Sequence, residues 1–314
     1  MTADISTSVV VASRNRPEEL YNCLHSIRAA MRPGDELIVV DSASAAPRSV
    51  HRVAEQVGAK VIRTELAGSA AARNLGVARA VCDILAFTDD DAVVDQHWIS
   101  TACERFRDAR ISAVVGPVFE SGLATDRTLF EFGSFSAASD EVEFDRRSGD
   151  WFSRARFGAI GSGANLFVRR SAFESHGPFR EGLGAGAPII GDENYFLLTL
   201  IESGAVVAHV PGTRVHHPAQ SVDRLREVRL GYVAYLLYVF LTRPLIRSQV
   251  CQSAFTGLRR MRGSAARPAR RTPLTEIVRA VVRAPHLVVR ALRIDRDAER
   301  RRRDLPATDV RMPR

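Results

Sequence analysis

The chain has 314 residues, of which 46% are apolar and 25% charged, with a net charge of +8. That length can bury a full core in one large or two small domains, and the composition excludes a disordered or collagen-like chain. No stretch reaches the roughly 18 apolar residues of a spanning helix, and the four scattered cysteines, Cys23, Cys82, Cys103 and Cys251, have neither disulfide-scaffold nor zinc spacing. The first residues lack the basic-then-apolar pattern of a secretion signal, so a reducing, cytoplasmic setting is the expectation.

Val9 to Ala12 is a β-branched run closed by Ser13-Arg14-Asn15-Arg16-Pro17. It reads as a buried strand, a loop and a helix that opens on Pro17, with Glu18 and Glu19 near the positive end of its dipole. Leu20, Leu24 and Ile27 give that helix its apolar stripe. Arg32 to Asp35 is a turn, and Leu37 to Val40 is a second buried strand ending in Asp41-Ser42. A helix over Pro47 to Val57 and a short strand at Val61-Ile62 follow. Gly68 opens an alanine-rich helix, Ser69 to Ala80, that carries Arg73 and Asn74. Ile84 to Phe87 is the next strand, and it runs into Asp89-Asp90-Asp91.

Adjacent carboxylates repel one another and call for a cation. Hard divalent ions meet that need with one or two carboxylates plus substrate phosphates. The competing reading is an acidic loop in which the aspartates cap a helix or face its dipole. Alternating strands and helices imply a parallel sheet whose ligands bind beyond the carboxyl ends of the strands. Ser13, Asp41 and Asp89 to Asp91 all fall at such ends, which favours the metal-assisted site. A dinucleotide site is disfavoured, because the first turn lacks the glycines that admit pyrophosphate, and no Walker A pattern is present.

Asp95 to Arg107 is a further helix, with Trp98 packed on the sheet. Ala113 to Val115 is a strand, and residues 121–156 read as a long insertion of the kind that sets selectivity. Small residues from Gly158 to Ala164 lead into Asn165 and a strand, and Ser171 caps a short helix. Gly182 to Gly186 is a flexible loop suited to closing over a ligand. Asp192 and Glu193 open an apolar helix. A strand over Val206 to Val210 follows, then His216-His217-Pro218.

The tail differs from the body. Residues 243–314 carry 19 arginines and six acids, a surplus of 13 that leaves the body at −5. Val222 to Thr242 reads as a helix whose stretch from Leu230 to Leu241 is apolar nearly all round; that stretch is too short to span, so it is either core or an interfacial segment with tyrosines at headgroup level. Residues 264–273 read as a linker. Leu274 to Ile294 is a basic amphipathic pattern interrupted by Pro285, suited to an anionic membrane surface or to packing on the body. Arg300 to Arg303 and the residues beyond read as irregular.

With these pieces in order, the chain resembles the family 2 glycosyltransferases of the GT-A fold, from about Ser6 to Pro218. Val10 to Pro17 resembles the family's opening strand and its Ser-x-Asn-Arg-Pro turn. Ile38 to Ser42 resembles the strand ending in the nucleotide-binding aspartate. Gly68 to Gly76 matches the Ala-Arg-Asn-x-Gly helix, and Phe87 to Asp91 the Asp-x-Asp metal motif. Gly163-Ala164-Asn165, Gly177-Pro178-Phe179 and Gly182 to Gly186 resemble the acceptor-side half, and Asp192-Glu193 stands where the catalytic acid pair stands. Two positions depart from the family pattern. The acid pair more often reads Glu-Asp, and the second strand often ends in two acids where this chain has Asp41 and Ser42.

The resemblance implies an α/β fold with a mostly parallel sheet and flanking helices, and the sequence pattern adds a helical, basic C-terminal tail. The chain is thus expected to divide into a glycosyltransferase domain at 1–220, a helical extension at 221–263 and a basic, partly disordered tail at 264–314. Within the first, 1–118 is the nucleotide-sugar half and 157–218 the acceptor half. The resemblance implies inverting transfer of a sugar from a nucleotide-sugar, uridine favoured as the base, to an acceptor hydroxyl in envelope or other glycan synthesis. Mg²⁺ or Mn²⁺ would be held by Asp91 and Asp89, with His216 completing the sphere. Ser13, Asn15, Asp41, Arg73, Asp89 and Asp90 would bind the nucleotide-sugar, Arg73 near the base or diphosphate. Gly163, Asn165, Gly184 and Gly186 would lie on the acceptor side. Glu193 takes the base role by position, with Asp192 the other candidate. The implied partners are a glycan or lipid-linked acceptor and an anionic membrane surface met by residues 221–303, on the inner face of the plasma membrane. No nucleic acid is expected. The rival readings are a sugar-phosphate nucleotidyltransferase and a non-enzymatic membrane or nucleic-acid binder acting through the arginine-rich tail.

Overall fold

A computed structural model of the chain describes residues 5–121, 140–147, 151–152, 160–218, 222–263 and 274–304. Most of the expected insertion at 121–156 and all of the expected linker at 264–273 lie outside these residues. The elements run β1 (Thr7–Ser13), α1 (Pro17–Ala30), β2 (Glu36–Ser42), α2 (Pro47–Gln56), β3 (Lys60–Thr64), α3 (Ser69–Arg79), β4 (Ile84–Asp89), β5 (Val93–Val94), α4 (Trp98–Arg105), β6 (Ile111–Val115), β7 (Val118–Glu120) and β8 (Val142–Phe144). They continue with β9 (Leu166–Arg169), α5 (Arg170–His176), α6 (Asp192–Glu202), β10 (Val206–His209), β11 (Val215–His217), α7 (Val222–Thr242), a short 3₁₀ turn (Pro244–Ile246), α8 (Arg247–Gly263) and α9 (Leu274–Asp304).

Eight strands form one sheet in the order β3-β2-β1-β4-β9-β6-β10-β8. The first four are parallel, β9 inserts antiparallel between β4 and β6, β10 runs parallel to β6, and β8 closes the edge antiparallel. Residues on both sides of the insertion thus share one sheet. A small second sheet joins β5, β11 and β7.

Successive strand side chains point to opposite faces, and the core divides accordingly. Val9, Val11, Leu37, Val39, Ile84 and Ala86 pack with α1, α2 and α4 on one face. Val10, Ile38, Val40, Leu85 and Phe87 pack on the other with α3, α5, α6, α7 and α9. The approach of α3 to β1 is so close that a Cβ at Gly76 would lie 2.3 Å from Val10 Cγ1. That contact accounts for a glycine in a helix interior, where it is otherwise unfavourable.

The C-terminal helices belong to this second layer. Ala234, Tyr235, Tyr238 and Val239 of α7 are buried in the core, as are Ala284, Val288 and Ala291 of α9. Of the two expectations for 222–242, the structure shows core. No described helix is long and apolar enough to cross a membrane. The helix α9 passes through Pro285 and runs on to Asp304, beyond the point where the sequence pattern turns irregular. Proline removes one backbone donor. Here it lies on the exposed side of the helix, while buried Ala284 and Val288 hold the turns around it against the core.

Candidate active site

Strand register brings the expected residues to one edge. Ser13 pairs with Asp41 across β1 and β2, and Ala12 pairs with Asp89 across β1 and β4. Asn15 takes a left-handed backbone, φ 59°. Its side-chain oxygen accepts from the Ala45 amide at 2.8 Å, and its own amide donates to Ser44 Oγ at 3.0 Å. The β1 turn is thereby tied to the loop after β2. Asp41 is fully buried and accepts from the Ser44 amide at 3.0 Å and from Arg63 at 2.6 Å. Burial pushes its carboxyl up, but the bonds from Ser44 and Arg63 outweigh it and leave it below its ordinary value.

The three aspartates have separate environments. Asp91 accepts from Arg16 at 2.7 Å on one oxygen and lies 3.0 Å from His217 Nε2 on the other. Asp90 is buried and 3.3 Å from Arg16, and burial pushes its carboxyl up to about 6. Asp89, more open, is 3.8 Å from His217 Nε2 and 3.0 Å from Arg73.

The histidine that meets the cluster is His217. The expected ligand, His216, instead places Nε2 3.1 Å from Asp95 and its ring against Phe119. The cause is the two-residue period of β11, which turns neighbouring side chains to opposite faces. His217 Nδ1–H donates to the Pro218 carbonyl at 2.9 Å, which leaves Nε2 facing the acids. Burial acts to lower this imidazole, but the bond to Asp91 and the charges of Asp89 and Asp91 push it up to about 9. Ligand atoms of Asp89, Asp91 and His217 all lie within 4.8 Å of one another. Two carboxylates and an imidazole suit a divalent cation. Without one, the imidazolium supplies the positive charge that the carboxylates require.

Arg73 is the hinge of the site. It is 7% exposed, and its guanidinium donates to Asp89 at 3.0 Å and to Asp192 at 2.9 Å. Burial would lower it, but Asp192 and Asp89 outweigh that and raise it. Its described partners are these two acids and, at 3.5 Å, the Gly163 carbonyl, where the sequence placed it near the base or diphosphate. It joins the end of β4 to the start of α6. With Asp192 bound in this way, the half-buried Glu193 is the freer carboxylate of the pair. Burial and the neighbouring Asp192 charge push Glu193 well above its ordinary range, with Arg73 acting in the opposite direction.

The acceptor-side residues divide by role. Gly163 abuts Arg73, where a Cβ would come within 2.8 Å of the guanidinium. Asn165 is fully buried and makes three hydrogen bonds. It accepts from Trp98 Nε1 at 2.9 Å and donates to the Pro117 and Thr213 carbonyls at 2.9 and 2.7 Å. It braces the sheet behind the site, with both amide donors and one lone pair of its oxygen taken up by the protein. Gly184, at φ 99°, faces Ser69 Oγ and Asp192 Oδ1, and a Cβ there would lie within 2.7 Å of each. Gly186 lies against Gly68. Ser69 and Ala185 exchange two hydrogen bonds of 2.9 Å, so the glycine loop is seated on the start of α3.

Arg16 and Arg63 pair with the candidate site acids, and the sequence reading did not single them out. Arg16 stands inside the turn motif, so a basic residue three positions from a strand end was an available signal. Arg63 had none, because its partner Asp41 lies on the neighbouring strand.

The glycosyl transferase family 2 profile matches residues 8–177, just over half of the chain. Glycosyltransferase AglE of Haloferax volcanii is 26% identical over 194 residues, covering 58% of each chain. Pre-mycofactocin glycosyltransferase of Mycobacterium tuberculosis is 27% identical over 212 residues, covering 67% of this chain and 42% of that one. The matches thus span from under half to just over half the length of these relatives. Among solved structures, S. aureus TarS 1-349 in complex with UDP-GlcNAc aligns with a TM-score of 0.59 at 13% identity, covering 93% of this chain and 89% of that one. Mannosyltransferase PcManGT from Pyrobaculum calidifontis, in complex with GDP-Man and Mn²⁺, aligns at 0.57 and 18% identity, covering 97% and 89%. These likenesses show the GT-A fold.

Proposed function

The chain belongs to glycosyl transferase family 2, and from that premise we propose that it transfers a sugar from a nucleotide-sugar, UDP-linked by preference, to an acceptor hydroxyl with inversion. The observation that carries this reading is the Arg73 bridge. It holds the end of the Asp89–Asp91 cluster and the Asp192-Glu193 pair in one site, so that a leaving diphosphate and an attacking hydroxyl have a place together.

Ser13, Asn15 and Asp41 form the nucleoside wall, Asp41 through the Ser44 amide and Arg63 that it holds. Asp89, Asp91 and His217 would hold Mg²⁺ or Mn²⁺. A divalent ion there supplies positive charge to a leaving nucleoside diphosphate. Glu193 accepts the proton of the acceptor hydroxyl as its oxygen bonds to the anomeric carbon. The bond from that carbon to the diphosphate oxygen breaks on the opposite face, which inverts the centre. Asp192, neutralised by Arg73, orients the start of α6 and leaves the base role to Glu193. The raised affinity of Glu193 for protons makes it a stronger base than a solvated carboxylate once ionised.

The acceptor in this reading is a glycan or lipid-linked hydroxyl in envelope or related glycan synthesis, and the enzyme is cytoplasmic and peripheral on a membrane. Exposed Val278, Val282 and Val289 run along α9 beside exposed Arg279, Arg283 and Arg290, a pattern suited to an anionic bilayer. Flotation with anionic and neutral vesicles tests that partner, and equal recovery on both would reject it. The catalytic reading is tested by incubation with a panel of nucleotide-sugars and Mn²⁺ while nucleoside diphosphate release is followed. No release from any donor, with or without added glycan acceptors, would overturn it.

A further inference from the structure

The tail helix α9 carries a buried acid. Asp295 is 5% exposed and lies on the face that also buries Ala291 and Ala298. A buried carboxylate is costly unless hydrogen bonds replace its water. One oxygen of Asp295 accepts from the Gly182 amide at 2.9 Å, and the other accepts from the Tyr238 hydroxyl of α7. At the same place the two backbones touch, since a Cβ on Gly182 would lie 2.3 Å from the Ala291 carbonyl oxygen.

Three flanking ion pairs tie the residues just before Gly182 to the same helix. Arg180 meets Glu299 at 2.8 Å, and Glu181 meets Arg301 at 2.7 Å and Arg302 at 3.1 Å. The Arg180 pair is partly exposed and contributes little on its own. The Asp295 bond is the buried one, and it fixes the loop at its root. Two residues on, Gly184 lies against Asp192 and Ser69. A helix serving only to meet an anionic surface has no use for a buried carboxylate on its inner face. All of α9 also lies outside the residues matched by the family profile.

We propose that Asp295 is a positioning residue: it holds the Gly182–Gly186 loop against Asp192 and the start of α3, so that α9 is part of the acceptor side of the site. The structural half of this statement stands on geometry alone, and its catalytic half rests on the function proposed above.

Amide hydrogen exchange on the full chain tests the first half. In Asp295→Asn an amide N–H faces one of two donors, Gly182 N–H or Tyr238 O–H. Exchange over residues 180–190 is expected to rise at least about tenfold, the loss of a hydrogen bond to a charged group, while β1 and β4 keep their protection. Tyr238→Phe leaves the Gly182 bond in place and is expected to keep the loop protected. Unchanged loop exchange in Asp295→Asn, or a rise spread equally over β1 and β4, overturns the proposal. Should Asp295→Asn not fold, Gly182→Ala drives a methyl at the Ala291 carbonyl and separates the same surfaces, and unchanged loop exchange in that variant overturns it equally.

The second half is read in Mn²⁺-dependent UDP-sugar hydrolysis. Asp295→Asn is expected to keep the donor KM within about twofold while kcat falls at least about tenfold. Loosened loop exchange with unchanged kcat overturns the catalytic half. A wild-type chain that hydrolyses or transfers no nucleotide-sugar removes the function reading and leaves the exchange result standing.

Discussion

Replacing Arg73 with methionine keeps most of its volume and deletes its charge. The change leaves Asp192, whose side chain is 3% exposed, without a counter-charge. Removing one partner of a buried pair costs about 3–5 kcal/mol, because the remaining charge is uncompensated. The second pair adds little, since the Asp89 side chain is 39% exposed and water screens it. The expected loss is therefore about 3–5 kcal/mol at neutral pH, read as a lower urea midpoint with unchanged slope. Arg73→Lys should recover only part of it, because one ammonium cannot reach both acids as a planar fork does. Pairing Arg73→Met with Asp192→Asn should recover most of it, since the stranded charge is gone. The sequence alone made Arg73 a nucleotide contact, and that alternative predicts the opposite pattern. A loss under about 1 kcal/mol, accompanied by weakened UDP-sugar binding, would refute the bridge and restore the nucleotide role.

Glu193→Gln should retain donor binding by calorimetry and lower transfer by about 10²–10⁴-fold, the usual worth of a general base; undiminished turnover would remove that role. His217→Ala should abolish measurable Mn²⁺ binding while His216→Ala leaves the titration intact, and the reverse result would return the ligand role to His216. In chelator-treated protein, His217 is raised from 6.5 to about 9. Its contribution is thus fully present below about 6.5 and disappears as pH rises through about 9. The stability difference between wild type and His217→Gln should be at most about 3 kcal/mol at pH 6 and should vanish above pH 9.5; a difference that grows with pH would show that the imidazolium is not the stabilising form. Asn165→Ala strands the Trp98 N–H and two carbonyls in the core and should cost about 3–5 kcal/mol in urea unfolding. A stable Asn165→Ala protein with weakened acceptor use would place this side chain at the acceptor after all.

The parts of the site legible in the sequence are those written along one strand. Ser13, Asp41 and Asp89 each end a β-branched or apolar run, and runs of that kind locate strand ends without any knowledge of pairing. The parts that were not legible depend on which strands are neighbours and which face a residue takes. Arg63 reaches Asp41 only because β3 lies beside β2 in register. His216 and His217 are chemically identical, and the choice between them is made by the phase of a three-residue strand in a second sheet. Asn165 carries the polarity expected of a ligand contact, yet it bonds three groups from three separate segments. The antiparallel insertion of β9 between β4 and β6 has the same origin. A short apolar strand fixes its own burial and leaves its direction to the chain around it.

The tail poses this problem in its sharpest form, because one helix carries two messages. The regular arginines of α9 dominate its charge pattern, and Arg279, Arg283 and Arg290 are exposed on its outer face. Beside the apolar Ile277 and Val288, the residues that bind it to the body are small or acidic (Ala284, Ala291, Asp295, Ala298), and in a sequence these four read as filler between arginines. Alanine in that stripe permits the close approach seen at Gly182 and contributes little to any hydrophobic pattern. Asp295 is read as a solvated charge until the Gly182 amide and the Tyr238 hydroxyl are known to face it. A net surplus of arginine therefore marks only the outer face of α9. The inner face is fixed by a few small contacts, and those contacts connect the tail to the glycine loop beside Asp192. Charge reversal on the outer face and substitution of Asp295 on the inner face are accordingly separable perturbations. The first should change vesicle binding with turnover in solution intact, and the second should change turnover in solution with vesicle binding intact.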